Sequence, residues 1–224
     1  MPPSPRPRPS LNLPKLNLPR LYAIVDAEAC ARSGRAPLDV ARAFLSAEVR
    51  CIQLRVKGWD SGPFLDLART VVDEANRAGC IVIVNDRADV AAIAGAHGLH
   101  VGQEDLSPAQ ARGILGAAPM IGLSTHTRAQ WQSAVAAPIS YLAIGPVYGT
   151  GTKATGYEAV GLEIVRQASA DALAAGLPLV AIGGITLERA PEVIASGAAS
   201  VAVIGDLLTG SPEARARDFI RALS

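Results

Sequence analysis

The feature that most constrains the fold of this chain is an eightfold alternation between short β-rich runs and longer helix-like runs. Most of the short runs are nearly all apolar, whereas a strand with one solvent-facing side would alternate apolar and polar residues. Such strands are typical of a parallel sheet that is covered on both faces. The eight predicted strands are Leu21–Asp26, Cys51–Arg55, Ile81–Asn85, Gly98–Gly102, Met120–Thr125, Tyr141–Gly145, Pro178–Gly184 and Ser200–Gly205.

Between these strands lie segments in which apolar residues recur every three or four positions, as in helices packed against a sheet. Two of them open with a serine followed by proline, Ser107-Pro108 and Ser211-Pro212, which is an N-cap followed by the residue favoured at the first helical position. The predicted helices are Leu38–Ala47, Gly62–Ala78, a brief one within Arg87–Ala96, Ser107–Leu115, Arg128–Ala136, Leu162–Ala175, Leu187–Ser196 and Ser211–Leu223.

Eight β/α units in roughly 200 residues match a closed (β/α)8 TIM barrel. The alternative is a doubly wound open sheet, which normally has fewer strands in this length and a glycine-rich turn after the first. Here the first predicted strand runs into Asp26-Ala27-Glu28-Ala29, with no glycine. We therefore predict a single α/β barrel domain over residues 21–224, preceded by a disordered proline-rich leader over residues 1–20.

Composition excludes several classes of function. A formal net charge of +1 provides no long-range field for binding nucleic acid or an anionic membrane. No apolar run reaches the roughly 18 residues of a membrane span, and the leader is broken by prolines where a signal peptide needs an apolar stretch. Cys30, Cys51 and Cys80 lack metal-ligand spacing and are expected to be free thiols. These observations predict a cytoplasmic protein that binds small molecules.

Polar residues concentrate where the predicted strands end. In a barrel of parallel strands these carboxyl ends meet on one rim, where the active site lies. The rim residues are Gln53, Arg55 and Lys57, then Asn85-Asp86-Arg87, Gln103-Glu104-Asp105, Ser124-Thr125-His126-Thr127, the loop over residues 145–153, Gly183-Gly184 and Ile204-Gly205.

Each of these residues also has a structural interpretation when it is taken alone. Gln53 or Arg55 could be a hydrogen-bonded residue of the barrel interior, and Asp86 or Asp105 could cap the next helix. The His97 and His100 side chains flank the fourth strand without an obvious partner and are expected to be structural. The Gly-Thr-Gly-Thr-Lys run lacks the spacing and the following helix of an ATP-binding P-loop.

Taken together, the rim residues indicate a more specific chemistry. Carboxylates beside lysine and arginine suggest Mg²⁺ bridging an anionic substrate, because Mg²⁺ is usually held by one or two carboxylates plus substrate phosphates. The glycines after the seventh and eighth strands let backbone N–H groups approach a second phosphate. The residues alone therefore predict a metal-assisted enzyme with two phosphorylated ligands, which they do not identify.

The motifs along the chain resemble, in order, those of thiamine phosphate synthases, from Leu21 to the C-terminus. The GQEDL and GPVYGTGTK segments are fairly specific to that family, whereas VAIGGI occurs in many phosphate-binding barrels. The matching motifs are QLRVK, NDRADVA, GLHVGQEDL, GLSTHT, YLAIGPVYGTGTK, VAIGGI and VAVIG.

This resemblance implies a role for each matching residue. The aminopyrimidine pyrophosphate would be held by Gln53, Arg55, Lys57, Asn85, Ser124 and Lys153, of which Arg55, Lys57, Ser124 and Lys153 would be catalytic. The thiazole phosphate would be held by Thr150, Thr152, Gly184, Ile204 and Gly205. Asp86 and Asp105 would bind the Mg²⁺ cofactor. Gly205 stands where the family usually has serine, so one hydroxyl is lost while the backbone donor remains.

The implied reaction joins 4-amino-2-methyl-5-hydroxymethylpyrimidine pyrophosphate to the thiazole phosphate, giving thiamine phosphate and pyrophosphate by a dissociative substitution. The alternatives are a thiazole tautomerase on the same barrel, a non-catalytic barrel that binds thiamine precursors, and another sugar-phosphate barrel enzyme. The intact NDR, QED and TK elements favour the synthase over all three. The family often forms homodimers, although nothing in this sequence requires one.

Overall fold

A computed structural model describes residues 18–149 and 156–224, and its fold is the predicted barrel. Eight parallel strands are hydrogen-bonded in chain order, and the eighth pairs with the first, so the sheet closes on itself. The strands are β1 (Leu21–Asp26), β2 (Cys51–Arg55), β3 (Ile81–Asn85), β4 (Gly98–Val101), β5 (Met120–Thr125), β6 (Tyr141–Ile144), β7 (Leu179–Ile182) and β8 (Ser200–Val203).

Helices connect the strands and cover the outside of the barrel. A single 3₁₀ turn, Gly205–Leu208, follows β8 directly. The α-helices are α1 (Ala27–Arg32), α2 (Pro37–Ser46), α3 (Ser61–Ala78), α4 (Ala88–Ala94), α5 (Pro108–Leu115), α6 (Arg128–Ala134), α7 (Gly161–Ala174), α8 (Ala190–Ala195) and α9 (Pro212–Ala222). In the part of the chain that the structure describes, none of these helices has the length and hydropathy needed to cross a bilayer.

Two apolar layers stabilise the barrel, as the continuous apolar strands predict. The larger layer lies between the sheet and the helices, where Phe44, Phe64 and Trp131 are almost fully buried. The smaller layer fills the barrel interior and includes Tyr22 and Tyr141. Because side chains fill the barrel interior, a ligand could reach only the rims of the barrel and not a central channel.

The chain immediately before β1 takes part in the barrel. Leu18 is 5% exposed and packs with the interior layer. The carbonyl oxygen of Arg20 accepts hydrogen bonds from the amide of Val201 and the hydroxyl of Ser200. The rest of the predicted leader, residues 1–17, lies outside the described residues.

The observed elements differ from the predicted ones mainly at strand ends. The predicted strand Pro178–Gly184 ends at Ile182, because Gly183 takes a φ of 104° that no strand contains. A short helix that was not predicted, α1, follows β1 at once. Asp26 caps it by accepting a hydrogen bond of 2.7 Å from the amide of Ala29.

Candidate active site

The carboxyl ends of the strands surround two concave regions. The larger is a cavity of about 380 Å³ at the ends of β6, β7 and β8, which we call the glycine cavity because Gly145, Gly183, Gly184 and Gly205 line it. The smaller, about 40 Å³, lies over the barrel centre and is called the central pocket. Ser124 at the end of β5 lines both, so ligands in the two regions can meet beside it.

Arg55 lies at the rim end of β2 beside the carboxylate of Asp26 on β1. The two residues are paired in the β1–β2 register, and their side chains form an ion pair. Asp26 is 2% exposed and the Arg55 side chain 12% exposed, so the charges are shielded from solvent. The buried carboxylate fixes the position of the guanidinium, so the N–H groups of Arg55 that do not contact Asp26 are held in place to bind a ligand.

Lys57, Asp86 and Asp105 form a cluster on the same side of the rim, which we call the acidic cluster. Lys57 forms an ion pair with Asp86. The carboxyl groups of Asp86 and Asp105 are within hydrogen-bonding reach of each other, and Asp105 also accepts a hydrogen bond of 2.8 Å from the amide of Gly102. Asp86 has a φ of 63°, an unusual conformation for a residue with a side chain.

The two carboxyl groups of the acidic cluster differ in their affinity for protons. Burial raises the pKa of Asp86, with a further increase from Asp105, and Lys57 only partly offsets it. Burial also acts to raise the pKa of Asp105, but the Gly102 amide, Asp86 and Lys57 together bring it below its usual value. Two adjacent carboxylates repel each other when both are ionised, and a divalent cation bound between them would offset that repulsion. The pair is therefore suited to hold Mg²⁺ together with ligand oxygens.

A chain of hydrogen bonds crosses the barrel beneath the central pocket. Gln53 Nε2 donates to Tyr22 Oη at 2.9 Å, and Tyr22 Oη lies 2.9 Å from Tyr141 Oη. Tyr141 Oη lies 2.9 Å from His100 Nδ1, and His100 Nε2 lies 2.8 Å from Ser124 Oγ. This series of hydrogen bonds therefore connects Gln53 on β2 with Ser124 on β5.

The donors and acceptors in this chain fit one direction. One arrangement gives every bond a donor and an acceptor: Gln53 Nε2 donates to Tyr22, Tyr22 donates to Tyr141, Tyr141 donates to His100 Nδ1, and His100 Nε2–H donates to Ser124 Oγ. Burial raises the pKa of both tyrosines well above the usual value, so both phenols are protonated. In this arrangement Ser124 Oγ accepts from His100 and can donate its own proton to a ligand.

The glycine cavity is shaped by backbone. Gly184 has a φ of 63°, and a Cβ there would lie 2.6 Å from the carbonyl oxygen of Gly149. Gly183 has a φ of 104°, and a Cβ there would lie 2.5 Å from Pro146. Within the described residues, the amides of Gly184 and Gly205 have no backbone acceptor outside regular elements. Such N–H groups beside an open cavity are suited to bind a phosphate.

The structure brings the predicted rim residues into two groups. Gln53, Arg55, Asn85 and Ser124 line the central pocket, with Lys57, Asp86 and Asp105 beside it. Gly184, Ile204 and Gly205 line the glycine cavity. Thr150, Thr152 and Lys153 lie outside the described residues.

The three histidines have different environments. His97 is structural as predicted, since its Nδ1 accepts a hydrogen bond of 3.1 Å from the amide of Val82. His100 was expected to lack an obvious partner, but its ring lines the central pocket and lies within hydrogen-bonding distance of Tyr141 and Ser124. His126 lines the glycine cavity, where its Nδ1 donates to the carbonyl of Gly145 at 2.5 Å.

Sequence reasoning missed several residues of the site. Asp26 was the easiest of these residues to predict from the sequence, because it is a polar residue at the end of a strand, as Arg55 and Asn85 are. Tyr22 and Tyr141 lie within predicted strands, where an aromatic residue normally indicates packing, and only barrel closure brings their hydroxyls together. His100 faces the barrel interior by strand alternation, which was a signal that could have been used.

Comparison with known proteins gives consistent similarities. A model of the family described as thiamine monophosphate synthase matches residues 21–207. The thiamine-phosphate synthase of Koribacter versatilis is 43% identical, with 93% of this chain and 97% of that protein covered. The one from Mycolicibacterium smegmatis is 41% identical, with 96% and 97% covered. The structure of thiamine phosphate pyrophosphorylase from Pyrococcus furiosus superimposes with a TM-score of 0.82 at 25% identity, covering 92% of this chain and 96% of that one.

Proposed function

Since the chain belongs to the thiamine monophosphate synthase family, we propose that it is a transferase that joins an aminopyrimidine pyrophosphate to a thiazole phosphate. The products are thiamine phosphate and pyrophosphate. The observation that carries this proposal at the site is the pair of adjacent regions that share Ser124. One is bordered by cations and carboxylates and the other by glycine amides, as two phosphorylated substrates require.

In this proposal the pyrimidine pyrophosphate occupies the central pocket and the rim above it. Gln53 and Asn85 offer amide groups to the pyrimidine ring, while Arg55, Lys57 and the Ser124 hydroxyl face the pyrophosphate. Lys153 belongs to the same group by its motif. The ion pair with Asp26 supports this role for Arg55, because a guanidinium held before the substrate arrives loses little freedom on binding.

The thiazole phosphate occupies the glycine cavity, with its phosphate on the amides of Gly184 and Gly205 and its ring near Ile204. Thr150 and Thr152 join this group by their motif. The apolar floor of the cavity, which includes Ile182 and Ala202, suits the thiazole ring.

The reaction is a substitution at the methylene carbon of the pyrimidine. The carbon–oxygen bond to pyrophosphate breaks, and its electron pair leaves with the pyrophosphate. The thiazole nitrogen then donates its lone pair to the cationic carbon, and no proton is transferred. Arg55 and Lys57 stabilise the charge that develops on the leaving oxygen, and the fixed position of the thiazole lowers the entropic cost of the second step.

We further propose that Asp86 and Asp105 bind Mg²⁺. Their carboxyl groups are adjacent, and the pKa of Asp86 is raised by burial and by Asp105, which is the electrostatic situation that a bound cation relieves. Within the described residues no third acidic, histidine or cysteine side chain completes a metal cluster, so substrate oxygens and water would fill the other positions. A bound Mg²⁺ would supply Lewis-acid stabilisation of the pyrophosphate.

A direct assay tests the function. The purified chain is incubated with 4-amino-2-methyl-5-hydroxymethylpyrimidine pyrophosphate, the thiazole phosphate and Mg²⁺, and thiamine phosphate is measured by mass spectrometry with and without EDTA. Product that is lost with EDTA supports both the reaction and the metal. Product that persists supports the reaction and contradicts the metal assignment. No product, while thiazole phosphate is still bound, contradicts the condensation and favours a tautomerase or a non-catalytic barrel.

A further inference from the structure

The glycine cavity is lined by an arginine side chain to which the motifs of the sequence assign no role. Arg189 lies just before α8 and lines the cavity together with Gly184 and Gly205. A phosphate monoester carries up to two negative charges, and backbone amides supply only partial positive charge. A guanidinium at the edge of the cavity would add the full charge that the amides lack.

Two contacts hold the Arg189 guanidinium at this edge. Its Nη1 donates a hydrogen bond of 2.9 Å to the carbonyl of Gly184, which itself lines the cavity. Its Cζ lies 4.5 Å from the centroid of the Tyr148 ring. Tyr148 is fixed in turn by a hydrogen bond of 2.5 Å to Glu192. Arg189 is therefore anchored to the loop that shapes the cavity, although it is exposed.

The positive charge of Arg189 is not consumed by a carboxylate. In the described part of the chain Arg189 forms no ion pair, and only one of its five N–H groups has a protein acceptor. The carboxylate that lines the same cavity, Asp206, is already compensated by Arg215 at 2.8 Å and accepts a hydrogen bond from the amide of Leu187. Arg215 is shared with Glu188 at 3.6 Å, and the Glu192 carboxylate accepts the hydrogen bond from Tyr148. Among the described residues, Arg189 therefore brings to the edge of the cavity a guanidinium that is paired with none of these carboxylates and has N–H groups left to bind a ligand.

We propose that Arg189 is a specificity-determining residue for the phosphate of the thiazole substrate, binding it together with the amides of Gly184 and Gly205. This inference rests on the proposed function, because it assigns a further residue to the thiazole phosphate site. A planar guanidinium that is already oriented by Gly184 and Tyr148 can donate two parallel hydrogen bonds to phosphate oxygens. Arg189 thus selects the phosphorylated thiazole over the corresponding alcohol.

Calorimetry on the full chain tests this inference with two probes, 4-methyl-5-(2-phosphoethyl)thiazole and its unphosphorylated alcohol. Arg189→Gln is expected to weaken binding of the phosphate about ten- to a hundredfold, as for loss of a charged hydrogen bond. Its binding of the alcohol is expected to stay within about twofold of wild type. Arg189→Lys keeps the charge and is expected to recover part of the affinity.

The matched control is Arg69→Gln, which removes one exposed arginine from α3 on the outer surface. It is expected to bind both probes as the wild type does. Unchanged phosphate binding in Arg189→Gln, or an equal loss for phosphate and alcohol, overturns the inference. Because the readout is binding, a wild type that makes no thiamine phosphate would contradict the proposed function and leave the test of Arg189 intact.

Discussion

The ion pair between Asp26 and Arg55 shows how single residues prepare this site. Asp26 has two tasks, because one carboxylate oxygen caps α1 through the amide of Ala29 and the other holds the guanidinium. A charge removed from this buried pair would leave its partner without compensation, which is costlier than removing both. Variants that lack one or both members of the pair should therefore differ in stability, although all of them should lose activity.

The first prediction concerns this pair. Asp26→Asn is expected to lower the free energy of unfolding by about 3–5 kcal/mol, because it leaves the charge of the largely buried Arg55 side chain unpaired. In Asp26→Asn/Arg55→Met, most of that loss should be recovered, while thiamine phosphate formation stays low because the cation is missing. Urea denaturation and the mass-spectrometric assay give the two readouts. A double variant that is as unstable as Asp26→Asn would contradict the pairing.

The second prediction concerns the acidic cluster. Asp86→Asn and Asp105→Asn are each expected to abolish Mg²⁺-dependent turnover, while calorimetry still detects binding of the thiazole phosphate in the glycine cavity. The control is Asp66→Asn, an exposed carboxylate of α3 outside the site, which should turn over at the wild-type rate. Near-normal rates in both single variants would contradict the assignment of Asp86 and Asp105 as Mg²⁺ ligands.

Sequence reasoning predicted rim residues wherever polarity at a strand end was itself the signal. Arg55, Asp86 and Asp105 follow apolar strands in this way, and the structure gathers them at one edge. The Tyr22–Tyr141 contact joins β1 to β6 across the barrel, 119 positions apart in the chain. Local sequence patterns do not predict contacts between residues so far apart in the chain, so this part of the site could be identified only from the three-dimensional structure.

At the scale of elements, the turn after β7 decides the shape of the glycine cavity. The third prediction is that Gly184→Ala destabilises the fold by about 1–3 kcal/mol, since its φ of 63° disfavours a side chain. It should also weaken thiazole phosphate binding, because the added Cβ would meet the Gly149 carbonyl oxygen at 2.6 Å and shift the loop. Thermal denaturation and calorimetry measure the two effects.

A glycine in a helix provides the control for Gly184. Gly113 lies in α5, and a Cβ there would have no atom within 4 Å. Gly113→Ala is therefore expected to stabilise the protein by roughly 0.5–1 kcal/mol, because alanine loses less conformational freedom on folding. The opposite order of stability for the two variants would contradict the role assigned to the Gly184 turn.

The order of elements was predictable, whereas some of their bounds were not. α1 has only Ala27, Ala29 and Cys30 buried, which leaves too short an apolar pattern to detect. Predicted helix Leu187–Ser196 is shorter in the structure, where α8 begins at Ala190 with proline in its first turn. The apolar signal identifies what is buried, while turns and caps decide where an element ends.

At the scale of the whole molecule, the two apolar layers place all three cysteines inside. Cys51 lies in the barrel interior, and Cys30 and Cys80 lie between the sheet and the helices. Burial raises the pKa of Cys30 to about 11 and that of Cys80 to about 12, and that of Cys51 well above its usual value. At pH 8 all three are therefore protonated and poorly reactive.

The fourth prediction follows from this arrangement. Iodoacetamide at pH 8 should leave the native chain almost unmodified and should label all three thiols once urea unfolds it. Intact-mass spectrometry across a urea series is then expected to show labelling that follows global unfolding by circular dichroism. Labelling of one cysteine well before the global transition would contradict its burial in a cooperative core.

The central claim is that one rim binds two phosphorylated ligands in two adjacent regions. The most direct measurement is a crystal structure of the protein with thiamine phosphate and pyrophosphate. We expect pyrophosphate against Arg55 and the acidic cluster, and the monophosphate against the amides of Gly184 and Gly205. Pyrophosphate bound in the glycine cavity, or a monophosphate against Asp86 and Asp105, would contradict the assignment of the two regions.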